Sequence, residues 1–408
     1  MKCRHCDSLL EHTFLDLGFA PPSNAYLSAE DLTRPEITYP LKIKVCELCW
    51  LVQTEDCINT EELFNHDYAY FSSCSQSWLK HAKTYVDKVT ERFNINKKNT
   101  VVEIAANDGY LLQYIKEKNI PCYGIEPTRS TGLAAKKKGI EIIESFFSKQ
   151  IALKLKQHGR QADLLIANNV LAHVPDINDF VKSVAILLKS DGVATFEFPH
   201  LLNLVKYNQF DTIYHEHFSY LSLTTIQNIF EKNGLSLFDV EELPTHGGSL
   251  RTYVQLKDSG QRHICQSVTL LLLRENSEGI TSLDYYTGFQ EKVNQVKNDF
   301  LKFLIRANKV GKTVVGYGAA AKGNTFLNYA GVGSDLLEFV VDRNPAKQYK
   351  FLPGSHIAIL NEEKLKQTQP DYVVILPWNL RTEIIEQLSY IRNWGGRFVI
   401  AFPTSHSW

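Results

Sequence analysis

The sequence predicts a three-part α/β protein: a small metal-binding unit at the N-terminus, then a central and a C-terminal unit, each built on a parallel sheet. Three observations carry this. Two Cys-x-x-Cys pairs, Cys3/Cys6 and Cys46/Cys49, bracket the N-terminal segment. From Thr100 onward, strand-like runs alternate with helical ones: V-V-E-I, C-Y-G-I, I-E-I-I, A-D-L-L-I-A and V-A-T-F-E-F. The design of strand, Gly-rich turn and helix then starts again at K-T-V-V-G-Y-G-A-A-A-K-G-N. Such alternation implies parallel strands with helices covering both faces. At 408 residues the chain is also too long for one ordinary core.

Composition narrows the class of function. The 44 basic and 45 acidic residues nearly cancel, so no field steers the chain toward nucleic acid. No apolar run reaches membrane-spanning length; the longest, around Val268 to Leu273, reads as a buried helix turn or strand. The start M-K-C-R-H-C has no apolar signal region, and the expected compartment is a reducing cytoplasm.

The first unit spans residues 1–60. Cys3, Cys6, Cys46 and Cys49 supply four soft ligands at zinc-ribbon spacing. Four thiolates close a tetrahedral site and leave no position for water or substrate, so the zinc is structural. A pair of disulfides is the alternative, but Cys57, Cys74, Cys122 and Cys265 are scattered without a partner pattern. Residues 61–97 read as a helical lid or connector. Its aromatic entry, D-Y-A-Y-F-S-S, precedes a helical pattern through Trp78, Leu79, Ala82, Tyr85 and Val86.

The central unit, 98–240, places its first strand-to-helix turn at Glu103-Ile104-Ala105-Ala106-Asn107-Asp108-Gly109. In a doubly wound sheet a ligand lies beyond the carboxyl ends of the strands, where strand order reverses. Small residues there let it approach the backbone, and the helix expected from Tyr110 offers amides. Glu126, at the end of the next strand, is placed to accept both hydroxyls of an adenosine ribose. This suits S-adenosylmethionine or a dinucleotide. Ala105 stands where G-x-G-x-x-G has its first glycine, which disfavours a pyrophosphate and favours the methyl donor. Asn168, Asn169 and His173 follow the fourth strand on the same rim of the sheet.

Tyr214-His215-Glu216-His217-Phe218-Ser219-Tyr220 is the densest chemistry in the chain. His215 and His217 are too close for a zinc site of the H-E-x-x-H type and would diverge on a helix. Acid/base work is the better reading, since His titrates near neutrality. Glu216 and His217 point to opposite faces of an extended chain, so a paired dyad demands a turn there.

The last unit, 241–408, opens with two strand-like runs around T-H-G-G-S-L-R-T-Y-V and a long helix from about Ser282 to Asn308. The second α/β design follows.

As a whole the chain resembles the S-adenosylmethionine-dependent sugar C-methyltransferases, which methylate a ring carbon of nucleotide-linked 4-keto-6-deoxyhexoses. The motifs are A-P-P-S-N-A-Y, D-Y-x-Y-F-S-S, V-x-E-I-A-x-N-D-G, N-N-V-x-A-H-V-x-D, F-E-F-P-H, Y-H-E-H-F-S-Y, T-H-G-G-S-L-R and G-Y-G-A-A-A-K-G-N. Ala105 departs from the glycine common in the family's donor loop. The resemblance implies a class I methyltransferase fold for the central domain and a Rossmann-like C-terminal domain. It also implies adenosylmethionine bound by Glu103, Ala105, Asn107, Gly109, Glu126, Asn168 and Asn169. Glu216 and His217 would be the base that removes the carbon-3 proton. Tyr214, His173 and Tyr68 would be donors around the enolate, with Tyr70 the rival for the Tyr68 role.

The C-terminal domain would hold the nucleotide sugar through Gly318, Lys322 and Asn324, with His246, Gly248 and Arg251 on the diphosphate or sugar. NAD, bound at Gly316-x-Gly318 and Asp342, is the competing occupant and would make the chain a nucleotide-sugar reductase or epimerase. A noncatalytic zinc-ribbon scaffold is a third reading, against which the Tyr-His-Glu-His cluster stands. A monomer suffices for this site.

Overall fold

A computed structural model describes residues 1–55, 58, 71–401 and 406–407; Cys57, Tyr68 and Tyr70 lie outside them. The N-terminal unit is an antiparallel sheet of β1 (His12–Ala20), β2 (Tyr39–Val45) and β3 (Val52–Thr54). Strand β2 alternates buried Leu41, Ile43 and Val45 with less buried neighbours, as a sheet with one covered face requires.

The central domain begins with α1 (Gln76–Arg92), whose N-terminus is capped by the Ser75 hydroxyl accepting the Trp78 amide. Its buried Ala82, Tyr85, Val86 and Val89 share one helical face and pack with Val101, Leu112 and Tyr253. The helical part of the expected connector therefore belongs to this domain's core. There follow β4 (Val101–Ile104), α2 (Leu112–Glu117), β5 (Cys122–Ile125), α3 (Arg129–Lys137), β6 (Glu141–Ile143), α4 (Lys149–Gln157) and β7 (Ala162–Asn168). Next come α5 (Ile177–Leu187), β8 (Leu188–Pro199), α6 (Leu201–Lys206), β9 (Ser219–Tyr220), α7 (Leu223–Lys232), β10 (Leu235–Leu243) and β11 (Ser249–Leu256).

The sheet runs β10-β11-β8-β7-β4-β5-β6, parallel from β8 to β6. Strand order reverses between β4 and β7, which opens the ligand crevice at their carboxyl ends. All four residues of β4 are buried, as a central parallel strand requires. Gly124 opposite is obligatory, because a Cβ there would lie 2.4 Å from the Ala106 Cβ. Strand β11 pairs with both β10 and β8. The expected boundary between residues 240 and 241 thus cuts a hairpin, and the central sheet extends to Leu256.

Beyond that point the run read as helix turn or strand is helical, and the expected long helix is present. The apolar run at 268–273 lies in α8 (Gln266–Glu278), and the long helix is α9 (Phe289–Lys309), starting later than expected because Gly288 precedes it in a left-handed turn. The C-terminal domain contains β12 (Val314–Tyr317), α10 (Ala321–Ala330), β13 (Val340–Val341), β14 (Ile359–Leu360), α11 (Glu363–Thr368), β15 (Tyr372–Ile375), α12 (Arg381–Gln387), β16 (Arg397–Ile400) and β17 (His406–Ser407). Its sheet order is β14-β13-β12-β15-β16-β17, again reversing beside the first strand.

The three units interlock. Phe14 of β1 stacks on Phe289 of α9 at 4.8 Å, and Leu27 forms a two-residue bridge with Phe351. Strand β9 adds to the N-terminal sheet beside β3 although it comes from the central domain.

Candidate active site

Four sulfurs gather at the N-terminus. Those of Cys3, Cys6, Cys46 and Cys49 lie within 4.8 Å of one another, and three of the residues are buried. None is in a disulfide. The Gln53 amide donates to the Cys3 sulfur at 3.3 Å, and Ser8 Oγ is 3.1 Å from both the Cys6 and Cys46 sulfurs. Thiolates supported by such donors fit a closed tetrahedral zinc site whose role is structural.

The donor turn sits at the β4/β7 crevice. Ala105, Asn107 and Gly109 take left-handed conformations, with φ of 55°, 49° and 75°. Ala105 carries a side chain where glycine would be unstrained. The helix starts at Leu112 rather than Tyr110. Glu126 accepts the Asn107 and Thr128 amides at 2.9 Å each; burial raises its pKa, and those two amides oppose the rise. Glu103 is fully buried on β4. Burial pushes its carboxyl well above the usual range, the Tyr110 hydroxyl offsets part of this, and Glu126 and Asp108 add to it. The turn is also covered: Asn107 Oδ1 accepts the Ser72 amide at 2.9 Å and Asp108 Oδ2 the Ser73 amide at 3.2 Å. The Ser-Ser end of D-Y-x-Y-F-S-S is thereby tied to the donor turn.

Asn168 ends β7, and Asn169 follows it at φ 53°. The side-chain carbonyls of Asn168 and Asn169 and Asp108 Oδ1 are buried without hydrogen-bond partners among the described residues. Buried acceptors in that state call for donors from a ligand. They fit adenosylmethionine, whose amino and hydroxyl groups supply such donors.

The demanded turn is present in the Tyr-His-Glu-His segment: the His217 amide donates to the Tyr214 carbonyl at 2.9 Å. It separates the two imidazoles. His215 is buried against Tyr39 and Pro40 of β2, while His217 is half-buried beside His173 and Tyr214, with ring centroids 4.6 and 4.0 Å away. His217 Nδ1 lies 2.7 Å from the Thr212 carbonyl, which can only accept. The proton is therefore on Nδ1 and the lone pair on Nε2. Burial, then the neighbouring His173, holds the His217 pKa well below the ordinary value, so the ring is neutral at pH 7. His173, whose ring hydrogen-bonds to the Glu216 backbone, is pushed down to about 4 by burial.

The expected Glu216–His217 dyad takes another form. Asn24 Nδ2 donates to Glu216 Oε1 at 2.7 Å, so the carboxylate is held by the A-P-P-S-N-A-Y loop of the N-terminal unit. Tyr26 of the same loop donates to the Ala319 carbonyl at 2.6 Å. Sequence reasoning quoted that motif without assigning its residues. Asn24 was missed because a lone asparagine in a Pro-Pro-Ser-Asn stretch reads as an ordinary turn residue.

Lys322 of the C-terminal domain acts on His217 through its charge. Its ammonium donates to Asn379 at 2.8 Å and lies 4.9 Å above the Trp378 ring; burial lowers its pKa and the Asp211 charge opposes that. Trp378 Nε1 donates to the buried Asp211 at 2.6 Å across the domain boundary. His246, in a left-handed turn at φ 53°, stands 5.2 Å from Trp78 and 3.5 Å from Asn169; burial lowers its pKa to about 4.

Other expected sugar contacts are committed elsewhere. The Arg251 guanidinium is buried, paired with Glu197 at 2.6 Å and stacked over Tyr85 at 4.3 Å. Asn324 is fully buried and gives its amide to the Ser23 carbonyl at 2.6 Å. The Gly318 amide donates to the Val341 carbonyl at 2.8 Å. Gly248 has φ 118°, and a Cβ there would lie 2.3 Å from Asn203 Nδ2.

A sheet with this crevice and an acid ending the second strand fits a methyl donor or a dinucleotide, and the similarities to known proteins decide for the methyltransferase class. Three family profiles match in series: "Putative zinc binding domain" over residues 3–64, "Methyltransferase domain" over 78–240 and "C-methyltransferase C-terminal domain" over 244–403. C-methyltransferase NovU of Streptomyces niveus is 33% identical over 404 residues, 98% of this chain and 95% of that protein. The chain belongs to this family of S-adenosylmethionine-dependent C-methyltransferases, and the reductase and scaffold readings fall away. Among solved structures, the PH0226 protein of Pyrococcus horikoshii OT3 matches 46% of this chain and 95% of its own at 16% identity and a TM-score of 0.37. Magnesium protoporphyrin IX methyltransferase of Synechocystis PCC 6803 with bound SAH matches 43% and 82%, at 16% identity and a TM-score of 0.35. Among the described residues no helix is long and apolar enough to cross a membrane.

Proposed function

We propose that the protein methylates carbon 3 of a nucleotide-linked 4-keto-6-deoxyhexose through an enolate, with His217 as the base. The carrying observation is the His217 ring: neutral, fixed through Nδ1 on the Thr212 carbonyl, and packed between His173 and Tyr214. The 4-keto group acidifies the adjacent carbon-3 hydrogen. Nε2 takes that proton, and His173, Tyr214 and Tyr68 donate toward the developing oxyanion, an arrangement worth several kcal/mol where it is preorganised. Glu216, held by Asn24, is the second member of the Glu-His pair. Bound adenosylmethionine supplies an electrophilic methyl group for the carbanion. Glu103, Ala105, Asn107, Gly109, Glu126, Asn168 and Asn169 hold it in the β4/β7 crevice. Lys322 and His246 hold the diphosphate of the sugar. The enzyme works as a cytoplasmic monomer.

Methyl transfer from labelled adenosylmethionine to 4-keto-6-deoxy sugars carried on dTDP, GDP and CDP tests the substrate. In deuterated water, wild type should exchange the carbon-3 proton and His217→Asn should not. Undiminished exchange in the variant would remove His217 as the base.

A further inference from the structure

The four-cysteine centre and the catalytic segment are joined by short paths. Gln53, on β3, is fully buried. Its Nε2 donates to the Cys3 sulfur at 3.3 Å, and its Oε1 accepts the Arg4 amide at 2.9 Å from inside the Cys3/Cys6 knuckle. The same residue stands opposite Ser219 in the β3–β9 ladder. Arg4 extends the other way: it donates to the Thr54 carbonyl at 3.0 Å and lies 5.1 Å over the Phe218 ring. Phe218 directly follows His217.

The Phe218 backbone completes the connection. Its carbonyl accepts the Thr54 amide at 3.1 Å, and its own amide donates to the Ala172 carbonyl at 2.8 Å. Ala172 directly precedes His173. One residue is thus clamped between the metal-bearing sheet and the turn that carries the second imidazole. Without β3 the two residues of β9 have no ladder partner in that sheet, and a strand this short does not hold itself. A metal that orders the Cys3 and Cys46 loops orders β3 with them, because binding energy at a site absent from the unfolded chain is folding energy.

We propose that the four-cysteine centre sets the positions of His217 and His173, with Gln53 and Arg4 as the positioning residues that transmit it. The centre then acts on the reaction without touching substrate. Misplacement by about 1 Å of a group that must meet its proton in line lowers rate by up to about 100-fold. The proposal rests on His217 as base, but its test does not need the sugar.

The test measures diethylpyrocarbonate modification of individual histidines in the full chain by peptide mass spectrometry, with exposed His158 and His263 as internal controls. Zinc-loaded wild type, chelator-treated wild type, Arg4→Ala and Arg4→Lys are compared, with zinc content, adenosylmethionine affinity and kcat measured on each. Arg4→Ala should retain zinc and donor affinity, lose about 10- to 100-fold in kcat, and change the His217 and His173 rates several-fold while the controls stay fixed. Arg4→Lys, which keeps a cation over Phe218, should recover most of the loss. Chelation should move the same two rates in the same direction. Gln53→Leu, read only if it folds with zinc bound, should repeat Arg4→Ala. Unchanged His217 and His173 rates after metal removal, or Arg4→Ala with wild-type kcat, would overturn the proposal. A protein that methylates none of the sugars but whose His217 reactivity still follows the metal would sink the substrate reading and leave the coupling standing.

Discussion

Replacing Arg251 by methionine separates two roles that its sequence context leaves open. If Arg251 binds a diphosphate, the variant folds normally and loses affinity for substrate. The structure predicts a stability defect, because the guanidinium is buried 2.6 Å from the fully buried Glu197 carboxylate. Burial pushes the Glu197 pKa up, but His81 and Arg251 outweigh it and hold it at about 2. Against the ordinary 4.5 for glutamate, at about 1.36 kcal/mol per unit, that is on the order of 3 kcal/mol from the network. Breaking a buried pair by removing one partner gives a similar figure, ~3–5 kcal/mol. At ~2–4 °C per kcal/mol for a domain of this size, the central transition should fall by roughly 6–20 °C. Calorimetry at pH 7 measures it. Because the folded Glu197 pKa is depressed, its contribution is present above the unfolded value and lost as pH falls through about 2. The gap between wild type and variant should therefore close on acidification from 4.5 downward. Arg251→Met/Glu197→Gln should recover part of the loss, since no buried charge is left alone. A variant within about 1 kcal/mol of wild type but with weakened sugar binding would refute this and restore Arg251 as a ligand contact.

Ala105→Gly should stabilise the central domain by roughly 0.5–1 kcal/mol, since a left-handed φ of 55° burdens a β-carbon by more than glycine's extra unfolded-state entropy; urea titration reads it, and a net loss would refute the strain. His173 and His246, both near a pKa of about 4, and His217 are neutral when folded and charged when unfolded below about 6.5. Their linkage makes stability fall as pH drops from 6.5 toward 4, and His173→Asn should flatten that slope in pH-dependent denaturation curves. Asn24→Ala should lower kcat with little effect on adenosylmethionine affinity, because it removes the Asn24 hydrogen bond to the Glu216 carboxylate without touching the donor turn; equal losses in both would make Asn24 merely structural.

The architecture was legible where periodicity and special residues are strong. Thiolate spacing gave the metal unit, and apolar runs ending in small residues gave both parallel sheets. The hairpin of β10 and β11 was seen, yet its membership was not, because pairing between β11 and β8 is a long-range contact that no local pattern encodes. The reach of β9 into the N-terminal sheet was invisible for the same reason. In the site, His217 and His173 stood out by residue type, whereas the burial of Arg251 and Asn324 depends on partners from distant segments. A basic or amide side chain beside glycines reads as a ligand contact until those partners are in place.

If His217 is the base, as proposed, its low basicity constrains how the enolate is made. A base whose conjugate acid is disfavoured by burial and neighbouring histidines gives up driving force for taking a proton from carbon. That deficit must be met by stabilising the product anion. Lys322 fits this requirement, because its charge is among those that disfavour the imidazolium, and the same field favours a negative oxygen nearby. Adenosylmethionine, itself cationic, adds to that field when bound. Lys322→Met should therefore raise the apparent pKa of the base while lowering kcat, two changes that loss of a simple anchoring contact would not produce together. The pH profile of kcat decides it: a fall in kcat with an unmoved acidic limb would confine Lys322 to binding.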